Sequence, residues 1–161
     1  MVLRYFLAVP PVIYAVILSM LPFFELRGGI PLAVAAGVDV WQAFVLCTLA
    51  NVAVIPLIYL FLDTLHNALM RIGLYKSIFN RVVHRTRKKI EKYVEKYGYF
   101  GLFIYVSIPI PGSGAWAGVL GAWLLGMEKR RAMKYIAAGV VVAGIILAVG
   151  MRGILFGLNG V

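Results

Sequence analysis

Leu21-Pro22-Phe23-Phe24-Glu25-Leu26-Arg27-Gly28-Gly29-Ile30-Pro31 is the stretch on which the fold turns. It sets one carboxylate and one guanidinium inside a run from Tyr5 to Val38 that is otherwise uncharged and almost wholly apolar. Such a run belongs in a bilayer, where a charged side chain costs roughly 2.5 to 3.5 kcal/mol on insertion scales and persists only when paired, hydrated or turned toward a cavity. Two prolines and two adjacent glycines surround the charges. The segment is therefore expected to break its helix here, with Pro22 and Pro31 as the breaking residues.

The rest of the chain supports that placement. Of 161 residues, 63% are hydrophobic and 14% charged, and the mean hydropathy is +0.94, the profile of an integral membrane protein. The net charge of +10 does not indicate nucleic acid, because nine of the sixteen Lys/Arg fall between Arg71 and Lys96 and three more form Lys129-Arg130-Arg131. Basic clusters beside apolar segments mark cytoplasmic loops and attract anionic headgroups. Membrane lipids are thus expected partners and nucleic acid is not. Cys47 is the single cysteine, so no disulfide framework exists. The apolar run after Arg4 lacks a small-residue cleavage site and reads as mature protein.

Four apolar stretches cover about residues 5–38, 40–62, 98–127 and 132–158. The second and fourth have the ~20 residues needed for one crossing. The third is too short for two crossings, yet basic residues flank both its ends and Pro109-Ile110-Pro111-Gly112-Ser113-Gly114 lies near its centre. A re-entrant helical hairpin, broken at Pro109 and Pro111, satisfies length and charge together, provided its tip is covered by protein or lines a wet cavity. The first stretch has the same design. An offset of 87 to 89 residues lays Leu21-Pro22 on Ile108-Pro109, Gly37 on Gly126 and Ala50-Asn51-Val52 on Ala138-Gly139-Val140. With one span between the first hairpin and the basic linker, the two repeats are inverted. The expected fold is an all-α integral membrane protein of two inverted repeats, each a re-entrant hairpin followed by a transmembrane helix. Residues 1–161 form a single membrane domain: repeat 1 is 1–62, repeat 2 is 98–161, and 63–97 is a basic amphipathic cytoplasmic helix or helix pair with a bend or solvent-facing turn near His84-Arg85-Thr86-Arg87-Lys88-Lys89. Both termini are placed outside the cell. In the alternative, residues 2–21 span fully.

Several residues on this frame carry candidate chemistry. Glu25 is the candidate for proton coupling and Arg27 for binding an anionic group, unless the two form a structural ion pair. Gly28 and Gly29, with Pro31, suit an unwound tip or the opening of the returning arm. Asn51, halfway along its span, binds substrate or ties a hairpin tip to that helix. In the second tip, Gly112, Ser113 and Gly114 join the expected binding set, with Ser113 as N-cap of the returning arm and Trp116 lining the cavity. Gly114, Gly118, Ala122 and Gly126 recur every four residues as a packing seam. No enzyme motif, metal-ligand cluster or nucleotide loop occurs, so neither catalysis nor a cofactor or metal is expected.

Glu25-Leu-Arg-Gly-Gly-Ile-Pro31 and Ile110-Pro-Gly-Ser-Gly-Ala-Trp116-Ala-Gly resemble the two signature regions of the small multi-drug export protein family of archaea and bacteria. That family is distantly similar to the DedA/VTT membrane proteins, and Lys96-Tyr97-Gly98 resembles the DedA pattern. The resemblance implies paired re-entrant hairpins and transport of drugs or lipid phosphates, although residues 107–118 lack the arginines usual in DedA-type hairpins. The leading expectation is a small secondary transporter or lipid flippase that moves an anionic small molecule or lipid phosphate through a midplane site between the hairpins. A homodimer is the expected assembly. Export of amphipathic drugs and a non-transporting membrane-organising role are the alternatives. Lys88, on the linker, is expected to stand apart from the site.

Overall fold

A computed structural model describes residues 11–159, and these are helical throughout apart from short turns. The helices are α1 (Pro11–Met20), α2 (Glu25–Ala35), α3 (Val40–Thr64), α4 (His66–Leu69), α5 (Gly73–Tyr97), α6 (Tyr99–Ser107), α7 (Ala115–Leu124) and α8 (Lys129–Asn159). The part of the first arm before Pro11, with Arg4, lies outside the described residues.

Among the described residues, two helices are long and apolar enough to cross a membrane, Val40–Thr64 and Lys129–Gly157. The helices α2, α6 and α7 have nine to eleven residues, and the described part of the first arm, α1, has ten. The three bounded arms reach only about 14 to 17 Å, against roughly 30 Å of hydrocarbon. Two short helices and a long one follow α5, and a short helix and a long one, α2 and α3, precede it.

One pair of aligned positions shares its geometry. Gly37 and Gly126 have φ of 87° and 64°, and the next residue in each case bonds back five positions, Val38 N–H to Ala33 and Met127 N–H to Ala122, both at 3.0 Å. Each glycine closes a short helix in the left-handed conformation that only glycine adopts without strain. A long helix starts shortly after each. Before α3, the Asp39 carboxylate accepts from the amides of Trp41 (2.9 Å) and Gln42 (3.3 Å), giving two orphan donors a partner at the helix start.

The compact units do not follow the sequence repeats. One comprises residues through Asn51 together with those from Val141 onward, and the other is Val52–Val140. The boundaries fall inside α3 and α8. A 25-residue helix is about 37 Å long, so its two ends can pack in different neighbourhoods.

In the first unit α1 and α2 pack as a hairpin, burying Ala15, Ser19, Ile30 and Ala33, with Ala43 and Cys47 of α3 also buried. Gly144 lies against Thr48 and Phe44, where an added Cβ would crowd both.

In the second unit the hairpin α6–α7 packs on α5. Ile90 is fully buried against Gly121, Gly101 abuts the Tyr93 backbone, and Val106 lies between Gly118 and Gly139. At the base of this hairpin, Asp63 pairs with Lys129 and accepts from the Trp123 indole N–H at 3.3 Å. The expected bend in the linker is corrected here. α5 runs unbroken through residues 84–89, because nothing there removes a donor or opens the backbone and Thr86 turns inward; the chain breaks earlier, at 70–72.

Candidate functional site

At the first break, Leu21 to Phe24 form a single turn and Glu25 opens α2. The Glu25 amide donates to the Leu21 carbonyl at 3.1 Å. Glu25 itself has φ of 47°, the one positive φ among the described non-glycine residues, and is only 5% exposed. A left-handed conformation costs an L-residue roughly 1 to 2 kcal/mol, and a buried carboxylate adds a desolvation cost. Its position in the first turn of α2 offsets part of this, because the positive end of the helix dipole favours an anion there. The arm start expected to attract a foreign anion thus carries an anion of its own.

Arg27, Gly28 and Gly29 are helical rather than part of an unwound tip, and Pro31 lies inside α2 rather than breaking it. Proline's fixed φ suits a helix, and α2 continues through Ala35 although Pro31 cannot donate to the Arg27 carbonyl. The physical break is at Pro22 instead. Gly29 is a packing residue: a Cβ there would strike the Ser19 hydroxyl and approach the Ala15 carbonyl to 2.7 Å. Gly28 is similarly crowded, with Phe24 at 2.9 Å from a built Cβ. Gly29 is buried, whereas Gly28 is partly exposed.

Asn51 is 2% exposed and donates from Nδ2 to the Ser19 carbonyl at 2.9 Å. That carbonyl is in the last turn of α1, where intrahelical donors run out. Asn51 therefore ties the first hairpin to α3, one of the two roles its position allows. Its Oδ1 and the hydroxyl of Thr48, one turn away, are buried with no hydrogen-bond partner among the described residues.

In the second hairpin, Pro109 and Pro111 lie in the loop 108–114, as the break requires, and Gly112 has φ of 84°. Ser113 does not cap α7. Gly114 occupies the N-cap, while the Ser113 hydroxyl turns back to the Ile108 and Ile110 carbonyls, 2.8 Å from the latter, and receives the Ile110 amide at 3.3 Å. The two prolines cannot donate, so a side-chain hydroxyl holds this loop together. Tyr105 adds a hydrogen bond of 2.6 Å to the Gly112 carbonyl. Trp116 is half-buried in the first turn of α7.

Sequence reasoning missed what stands beside this loop. Lys88, Lys89 and Lys92 of α5 line a cleft with Ile108, Ile110 and Ser113. Lys88 thus stands beside the second hairpin loop rather than apart from it. No local signal announces this. It depends on how α5 seats against the hairpin.

A family model described as "Putative small multi-drug export protein" matches residues 25–146, more than half of the chain, taking in the Glu25 edge of the first break, the whole of the second break, and both long helices in whole or in part. No curated protein and no solved structure matches the chain.

Proposed function

Because the chain belongs to the small multi-drug export protein family, we propose that it is a secondary transporter in which protonation of Glu25 is coupled to binding of an anionic small molecule or lipid phosphate by Arg27. The observation that carries this reading is Glu25 itself, buried at a helix break in a strained conformation and two residues from a guanidinium. Strain and buried charge together are disfavoured by stability alone and concentrate at working sites. When Glu25 is ionised, its carboxylate satisfies the positive end of α2. Once protonated it leaves that potential and Arg27 for a substrate anion, so proton and anion bind together. This makes the carrier a proton–anion symporter in thermodynamic terms.

The same reading takes the two helical pairs as re-entrant hairpins in a multi-pass protein of the cell membrane, inverted with respect to one another. The basic linker is cytoplasmic, the termini are outside, and the working assembly is a homodimer. The protein is not an enzyme and needs no cofactor. A second reading is favoured by the family description: a hydrophobic cation neutralises ionised Glu25 and is exchanged for a proton, which is drug antiport.

Ligand sign separates the two. With purified protein in neutral detergent, naphthalenesulfonate at a hundredfold excess over its Kd should stabilise the wild type by about 2.7 kcal/mol, seen as a rise in Tm. Arg27→Gln should abolish the rise. Stabilisation by tetraphenylphosphonium and not by the sulfonate would replace the anion reading with drug antiport.

A further inference from the structure

We propose that the cleft between α5 and the loop of the second hairpin seats the phosphate headgroup of an anionic phospholipid drawn from the surrounding leaflet. The cleft has a volume of about 420 Å³. Lys88, Lys89 and Lys92 stand on one sector of α5, Lys88 and Lys89 lying four and three residues before Lys92. Among the described residues none of the three pairs with a carboxylate, and Glu91 between them is taken by Arg87 at 3.6 Å. Three like charges on one wall repel each other, and a phosphate between them removes that repulsion while gaining charge-assisted hydrogen bonds.

The opposite wall specifies the kind of anion. Ile108 and Ile110 are 37% and 56% exposed at the cleft. The Ser113 hydroxyl is spent on the loop's own backbone. Recognition thus falls to ammonium groups on one side and to apolar surface on the other. Inorganic phosphate gains nothing from the isoleucines, and a nucleic acid backbone has no apolar part to place there. A lipid matches both walls, with its headgroup on the lysines and its first methylenes on Ile108 and Ile110. The bound lipid is a resident of the protein rather than its cargo. It fixes α5 against the loop of the second hairpin.

The site goes beyond the transport reading and does not rest on Glu25 or Arg27. Its test is calorimetric titration of the full-length protein in neutral maltoside detergent with dioctanoyl phosphatidic acid, dioctanoyl phosphatidylcholine and inorganic phosphate. Phosphatidic acid should bind at least tenfold more tightly than either of the others. Lys88→Gln with Lys92→Gln should weaken it at least tenfold, whereas Lys76→Gln with Lys134→Gln, an equal loss of charge on exposed lysines outside the cleft, should leave it within twofold. Ile110→Ser should weaken the lipid and not the inorganic ion, which keeps the site testable should the lysine double variant misfold. Arg27→Gln removes the carrier's own anion site and should leave in place the binding that depends on Lys88 and Lys92. Equal losses from the two lysine pairs, or inorganic phosphate binding as tightly as the lipid, would each overturn the proposal.

Discussion

Glu25→Gln should abolish proton-coupled transport, by a hundredfold or more, in a protein that still folds. Glutamine keeps the side chain's size and polarity and removes only the ionisation, so it isolates the proton from the packing. The backbone supplies a second comparison. Because φ at position 25 is 47°, Glu25→Gly relieves a left-handed strain of roughly 1 to 2 kcal/mol that Glu25→Gln retains. The glycine variant should therefore be at least as stable as the glutamine variant, and just as inactive. Thermal unfolding in detergent and vesicle transport, measured on both variants, check the two halves of this expectation. If Glu25→Gln unfolds, the carboxylate is a structural member of the hairpin. If it folds and transports normally, Glu25 has no part in the cycle.

The second large effect is expected at Gly101, far from either charge in sequence. A Cβ at this position would fall on the Tyr93 carbonyl and within 2.9 Å of the Val94 nitrogen. Both are backbone atoms of α5, which cannot swing aside as a side-chain tip can. Gly101→Ala must push α6 off α5, at an overpacking cost of about 1 to 3 kcal/mol. Gly121 differs, since its nearest neighbours are the ends of Ile90, and that side chain can adjust. Gly150→Ala is the control: nothing lies within 4 Å of its built Cβ, and alanine in an open helical position should leave stability unchanged or raise it by up to about 1 kcal/mol. A clear drop in Tm for Gly101→Ala and none for Gly150→Ala is the expected pair. Equal Tm values would mean that α5 does not sit on the hairpin as described, and the lysine cleft would lose its geometry as well.

Much of the fold is legible in the sequence because the membrane imposes it. Runs of 20 or more apolar residues specify long helices, and shorter runs interrupted by proline specify broken ones. Gly37 and Gly126 can be matched in sequence because both end a helix before a charged or polar turn. Asn51 announces that an amide at mid-span must find a partner, and the structure supplies the Ser19 carbonyl.

The remainder depends on tertiary pairing. Pro31 and Pro22 look alike in sequence, yet Pro31 is accommodated within α2 and only Pro22 sits at the turn. The seam from Gly114 to Gly126 holds only in its middle: Gly118 and Ala122 pack, while Gly126 ends the helix. Within the second hairpin the closest approaches are instead at Gly101 and Gly121, which no four-residue spacing picks out. Ser113 has the sequence of an N-cap, but two donorless prolines make its hydroxyl more useful to the loop. Lys88, Lys89 and Lys92 read as a solvated charge run because their partner surface lies some twenty residues further along the chain.

The central claim is that Glu25 moves a proton together with an anion, and the direction of proton movement in sealed vesicles tests it most directly. Wild-type protein reconstituted in vesicles loaded with the pH dye pyranine should acidify the lumen when naphthalenesulfonate is applied outside, with potassium and valinomycin clamping the membrane potential. Glu25→Gln vesicles should match empty ones. Acidification that is absent from the wild type, or undiminished in Glu25→Gln, would contradict the account.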